Sequence, residues 1–122
     1  ALLPVKLDAV PGTVLESILL DIPVITYKTT GMPYLNREKE CVLLTEIGNI
    51  EGLANNMLKL MNDEIYANKL AQNAKEFVKR TFDNTASAKR LVEDYKAVIA
   101  HYHNGIPIPK ELLFDLNEFP NY

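Results

Sequence analysis

An alternation constrains this fold more than any other feature of the sequence. Short, continuous apolar runs, "ALL" at 1–3, "PVITY" at 23–27 and "CVLLT" at 41–45, are separated by stretches with helical periodicity. Strands this short and this uniformly apolar suit a sheet buried on both faces, which is where parallel strands occur. The pattern predicts an α/β fold with a short parallel sheet and a helix-rich C-terminal half. Pro4 breaks the first run, so it reads as the end of a strand that needs more residues upstream. On that reading the chain begins inside a domain.

The stretch "DAVPGTVLE" at 8–16 holds a Pro-Gly turn, a strong punctuator, followed by a helix over 13–21. Val14, Leu15, Ile18 and Leu19 recur at helical spacing, Leu20 widens that apolar face, and Pro23 is the expected stop. Residues 28–40 read as a loop with at most one helical turn. Three further helices are expected at 50–61, 64–80 and 85–103, capped by Asn49, by Asp63, and by Asp83 or Asn84. Their apolar faces are expected inward: Ile50, Leu53, Ala54, Met57, Leu58 and Met61 in the first; Ile65, Leu70, Ala74, Phe77 and Val78 in the second. In the third the face is Ala88, Leu91, Val92, Tyr95, Val98, Ile99 and Tyr102, and Gly105 is its stop signal. The division expected is a domain over 1–103 and a Pro-rich tail over 104–122 that packs as an extended arm.

Composition narrows the function. With 13 Lys and Arg against 16 Asp and Glu, the formal charge is −3, which disfavours a nucleic-acid partner. No apolar stretch approaches the roughly 18 residues of a membrane span, and the first ten residues lack a signal-peptide pattern. Cys41 is the sole cysteine, so no intrachain disulfide forms and a reducing, cytoplasmic compartment is the simple reading. It reads as a small core residue. His101 and His103 stand two apart, on different sides of a helix, and no metal site is expected.

The chemistry-bearing stretch is 8–16. A strand end, a tight turn and a helix N-terminus together make an anion site, because the first helical N–H groups have no partner and the dipole is positive there. Gly12 lets a ligand approach the backbone. Asp8 lies at a strand end, where open α/β sheets take their ligands, and a carboxylate accepts hydrogen bonds from sugar hydroxyls. Two bland readings stand beside this one. Thr13-x-x-Glu16 fits a capping box, and Asp8 fits a solvated turn. Lys6 and Lys28 read as surface lysines, and Tyr27 and Tyr34 as packed rings.

The run "LPVKLDAVPGTVLESILLDIPVITYKTTG" resembles the signature region of retaining glycosyltransferases of the GT-B fold. Pro4, Asp8, Glu16-Ser17, Pro23-Val24-Ile25 and Gly31 fall at matching offsets, and the later segments "CVLL", "NIEGLANNMLKLMND" and "AQNAKEFVKRTFDN" follow in order. The resemblance covers about residues 2–100 and fits the second half of the C-terminal, donor-binding domain, a partial Rossmann-like unit. It implies transfer of a hexose from a nucleotide-diphosphate sugar to a glycan or lipid acceptor, as in polysaccharide biosynthesis, with no metal or other cofactor. Glu16 matches the residue that holds the donor ribose. Asp8 matches a Glu that contacts the transferred sugar or its phosphate and is one methylene shorter. The backbone of Pro11, Gly12, Thr13 and Val14 matches the turn that faces the donor sugar and phosphate. Two departures stand out: Ile22 where Gly usually precedes Pro-Val, and Tyr34 where Glu is common.

In the family the diphosphate is also clamped by an Arg and a Lys on loops that would precede residue 1, and the acceptor domain lies upstream too. The chain alone is therefore expected to be inactive, and to work with that upstream part or as a homo-oligomer. The alternatives are a same-fold nucleotide-sugar 2-epimerase and a non-catalytic interaction module built on a degenerate donor domain. A phosphate-accepting receiver domain is disfavoured, since it needs an early acidic pair and a late Lys that are not present.

Overall fold

The computed structural model describes residues 1–113. The chain divides into two compact units, Ala1–Thr81 and Phe82–Tyr122. In the first, the order is β1 (Leu2–Leu3), α1 (Gly12–Leu19), β2 (Ile25–Tyr27), a 3₁₀ turn at Met32–Asn36, β3 (Leu43–Thr45), α2 (Ile50–Asn62) and α3 (Glu64–Thr81). In the second, α4 (Asn84–Asn104) is followed by a 3₁₀ turn at Lys110–Leu112.

The sheet is parallel with strand order β1-β2-β3. Leu2 pairs with Ile25 and Leu3 with Thr26; Ile25, Thr26 and Tyr27 pair with Leu43, Leu44 and Thr45. This is the mixed α/β arrangement that the alternation predicts, and the partial Rossmann-like unit that the resemblance implies. Thr26 is fully buried in the middle strand, and its hydroxyl donates to the Leu3 carbonyl at 2.7 Å, so the one polar side chain there is satisfied. Ile25, Tyr27, Leu43, Leu53 and Leu70 form a core cluster, with Leu60 and Tyr66 packed on it. Each such aliphatic side chain contributes about 1.5–3 kcal/mol by leaving water.

α1 ends differently from the expectation at Pro23. Ile22 N–H donates to the Ser17 carbonyl at 3.0 Å and Asp21 N–H to that of Ile18 at 3.1 Å, with Asp21 at φ 59°. This is a Schellman stop with Asp in the left-handed position usually held by Gly. β3 starts at Leu43, later than expected, because the Asn36 side chain takes the preceding backbone. Asn36 Oδ1 accepts from the N–H groups of Cys41 (2.8 Å) and Val42 (3.0 Å), and its Nδ2 donates to the Val42 carbonyl (2.8 Å).

The helix caps agree with the sequence: Asn49 accepts from Gly52 N–H, Asp63 from Tyr66 N–H, and Asp83 from the N–H groups of Thr85 and Ala86. Gly105 closes α4 at φ 68°. The inward faces need correction. In α2 only Leu53 is buried, while Ile50, Met57, Leu58 and Met61 are exposed. Ile65 of α3 is 84% exposed, although Leu70, Ala74, Phe77 and Val78 are buried as expected. Leu19 and Leu20 are exposed as well, and α4 buries no residue, with Leu91, Val92, Tyr95, Val98, Ile99 and Tyr102 all exposed. Periodicity fixes which side of a helix is apolar; burial also needs close packing against that side. The reading of 104–122 as an extended arm falls, for 114–122, outside the described residues.

Candidate functional site

The site is built where β1 gives way to α1. Pro11 occupies the N-cap with φ −60° and ψ 139° and is buried; Gly12 and Thr13 open the helix on the surface. Proline has no side-chain acceptor, so this helix start carries no side-chain cap, and its first turn holds no acidic residue. The capping-box expectation is therefore corrected. Thr13 lies inside the helix, where its carbonyl accepts from the Ser17 hydroxyl at 2.8 Å. Val14 N–H donates to the Pro11 carbonyl at 3.1 Å and its side chain is fully buried. Among the described residues the N–H groups of Gly12 and Thr13 donate to nothing, so the positive end of the helix dipole faces solvent through them. A side chain at Gly12 would meet nothing within 4 Å; the approach to the backbone is open.

Glu16 is exposed on the next turn of α1, and Asp8 is exposed in the turn before it. The structure thus sets Gly12 and Thr13 on the first helical turn with one carboxylate on either side in sequence. Val14 belongs to the core by its side chain. Neither carboxylate is engaged in an ion pair or hydrogen bond among the described residues, which leaves both as free acceptors.

A second loop joins this turn, and sequence alone did not reveal how. Gly31 lies so close to Ala9 that a Cβ on it would sit 2.5 Å from the Ala9 carbonyl carbon and 2.9 Å from its Cα. The loop after β2 therefore presses against residues 8–10, both at the C-terminal ends of their strands. Thr29 in that loop is 5% exposed, and its hydroxyl has no hydrogen-bond partner among the described residues. Nothing in the sequence distinguishes Thr29 from its neighbour Thr30; burial does.

Other candidates are accounted for. Tyr27 is core. Tyr34 packs edge-on against Phe77 with ring centroids 5.9 Å apart, and the Arg37 guanidinium sits 4.5 Å over its ring. Lys28 pairs with Glu46 at 3.5 Å. His101 Nδ1 is 3.0 Å from the Ile106 carbonyl, and the His103 ring stacks edge-on with Tyr102. Cys41 is buried, and burial pushes its thiol pKa up, as suits a core residue. Among the described residues no cluster of His, Cys, Asp and Glu is arranged to hold a metal ion, and no helix is long and apolar enough to cross a membrane.

Residues 1–77 match the family model of the glycosyl transferases group 1. The chain belongs to this family. A comparison with curated proteins finds no match. The matched span takes in the whole of the sheet, the uncapped start of α1 and the Gly31 loop, so the candidate site of this glycosyltransferase lies inside the family-defining region. Sugar transfer is the chemistry that the family brings to the chain, and transferase is its enzyme class.

Proposed function

We propose that the chain is the donor-side portion of a retaining glycosyltransferase of the GT-B type, drawn from its C-terminal domain. It binds a nucleotide-diphosphate sugar at residues 8–16 and passes a hexose to a glycan or lipid acceptor in the cytoplasm. The observation that carries this reading is the uncapped N-terminus of α1, within the family match and flanked by two unengaged carboxylates. Glu16 holds the ribose hydroxyls and Asp8 the transferred sugar. The Gly12 and Thr13 N–H groups face the diphosphate and stabilise the charge that grows on it as the sugar departs, fixed donors being most effective where charge develops. The reaction as read here needs no metal.

The same reading makes the chain inactive by itself and dependent on an upstream part of its parent or on a second copy. β1 is the edge of the sheet among the described residues. Beside it lies an apolar cavity of about 240 Å³ between Leu2, Pro23, Met57 and Met61. A further strand laid on β1 would satisfy its open backbone groups and close that cavity.

A second reading, a non-catalytic interaction module, is favoured by one observation: Tyr34, where the family commonly has Glu, is committed to Phe77 and Arg37. An NMR titration of the 122-residue chain with UDP, GDP and ADP separates the two. Shifts at residues 12–16 with one nucleotide, lost in Glu16→Ala, support the donor site. A folded chain with no response, joined to an unresponsive longer chain that includes the upstream loops, replaces it with the interaction module.

A further inference from the structure

A groove of about 430 Å³ lies between the segment before β3 and one face of α3, lined by Lys39, Glu40, Tyr66, Lys69, Leu70 and Asn73. Its size is that of a small-molecule cleft. The strands are parallel, so residues 39–40, which precede β3, lie at the opposite end of the sheet from the turn that follows β1. The groove shares no lining residue with the helix start at Gly12, and the inference does not depend on the donor-site reading.

The lining is organised. Tyr66, Lys69, Leu70 and Asn73 are spaced i, i+3, i+4 and i+7, one stripe of a helix. Leu70 is 2% exposed and forms the apolar floor. Tyr66 is held from two sides: its hydroxyl donates to Glu40 Oε2 at 2.7 Å, and Lys59 Nζ sits 4.0 Å over its ring. Burial is the main cause that raises the Tyr66 pKa, so the phenol stays a neutral donor. Asn73 Nδ2 donates to the Glu40 carbonyl at 3.2 Å, which ties the segment to the helix.

The charge is asymmetric. In the lining, two lysines, Lys39 and Lys69, meet one carboxylate, Glu40. Glu40 already accepts from Tyr66, and Glu76 stands 4.0 Å from Lys39 at the limit of an ion pair. Lys69 has no carboxylate within ion-pairing distance among the described residues. We propose that this groove is a second ligand site, taking a small amphipathic anion whose apolar body lies on Leu70 and Tyr66 and whose phosphate or carboxylate sits between Lys39 and Lys69. Aromatic and aliphatic surface supplies the affinity, and the two ammonium groups fix the orientation.

The test is a titration of the full chain with phenyl phosphate and with benzoate, read by amide shifts at Tyr66, Lys69, Leu70 and Asn73, with inorganic phosphate and phenol as controls. Phenyl phosphate or benzoate is expected to bind about tenfold more tightly than either control, the gain expected when a ring is buried against an anchored head group. The double variant Lys39→Ala, Lys69→Ala is expected to weaken that binding about tenfold. Both lysines are exposed, so the variant keeps the fold. Equal binding of phenyl phosphate and inorganic phosphate would overturn the proposal, as would saturation unchanged in the double variant, or shifts confined to residues 12–16. Which of the two anions binds more tightly decides between a phosphomonoester and a carboxylate.

Discussion

Gly31 meets Ala9 backbone to backbone, and the contact leaves no room for a β-carbon. Through it, the loop after β2 sets the position of the turn that leads into α1. Gly31→Ala forces one of two backbones to move, at about 1–3 kcal/mol, the usual cost of overpacking. A lower urea midpoint with a weaker nucleotide response at residues 12–16 is the expected pair of results. Full stability would show that the two loops do not bear on each other.

Glu16 separates a ligand role from a structural one. Pro11 is the cap of α1, and Glu16 makes no capping contact. Glu16→Ala should therefore leave the thermal midpoint nearly unchanged, within about 0.5 kcal/mol, as at other surface positions. A loss of about 1 kcal/mol, the size of a lost cap, would restore the capping box.

Asn36 closes three hydrogen bonds to the backbone of Cys41 and Val42. Asn36→Ala leaves two N–H groups and a carbonyl unpaired and should cost about 2–3 kcal/mol by chemical denaturation. Asn36→Asp keeps the acceptor and loses the donor, so it should fall between. If Asp and Ala cost the same, the carboxamide's acceptor role is not what holds β3 in place.

Cys41 gives the chain a pH-dependent term at alkaline pH. Burial raises the thiol pKa above its ordinary value of 9.0, with Glu38 adding in the same direction. The folded state then holds the proton more tightly than the unfolded chain. The contribution is whole below the unfolded pKa and is lost as pH rises through the folded value. As pH rises past about 9, the wild type should lose stability more steeply than Cys41→Ala. Thiol labelling at pH 8 should follow unfolding; fast labelling of the native chain would contradict the buried thiol.

How much of this was legible follows from the kind of signal. The strands, the turn at Pro11-Gly12 and the caps Asn49, Asp63 and Asp83 are local, and each is readable from a few adjacent residues. The family is legible because its residues recur in order along the chain. Asn36 and Thr29 were not readable: their roles depend on what lies across space, Val42 for one and an enclosed position for the other. Ile65 and the apolar face of α4 mark the opposite error, periodic positions that stay exposed.

β1 pairs with β2 over Leu2 and Leu3, with the Ala1 carbonyl accepting from Ile25 N–H at 2.8 Å, whereas β2 and β3 share a longer register backed by Asn36. In a hierarchy of local openings, β1 is thus the first element to detach and the last to return. Amide exchange should be fastest there and slowest along β2. The turn at residues 8–12 need not share that fate, because Gly31 holds it from one flank and the packing of α1 on α3 from the other. A frayed β1 then leaves the start of α1 in place, and the turn outlasts the strand that leads into it.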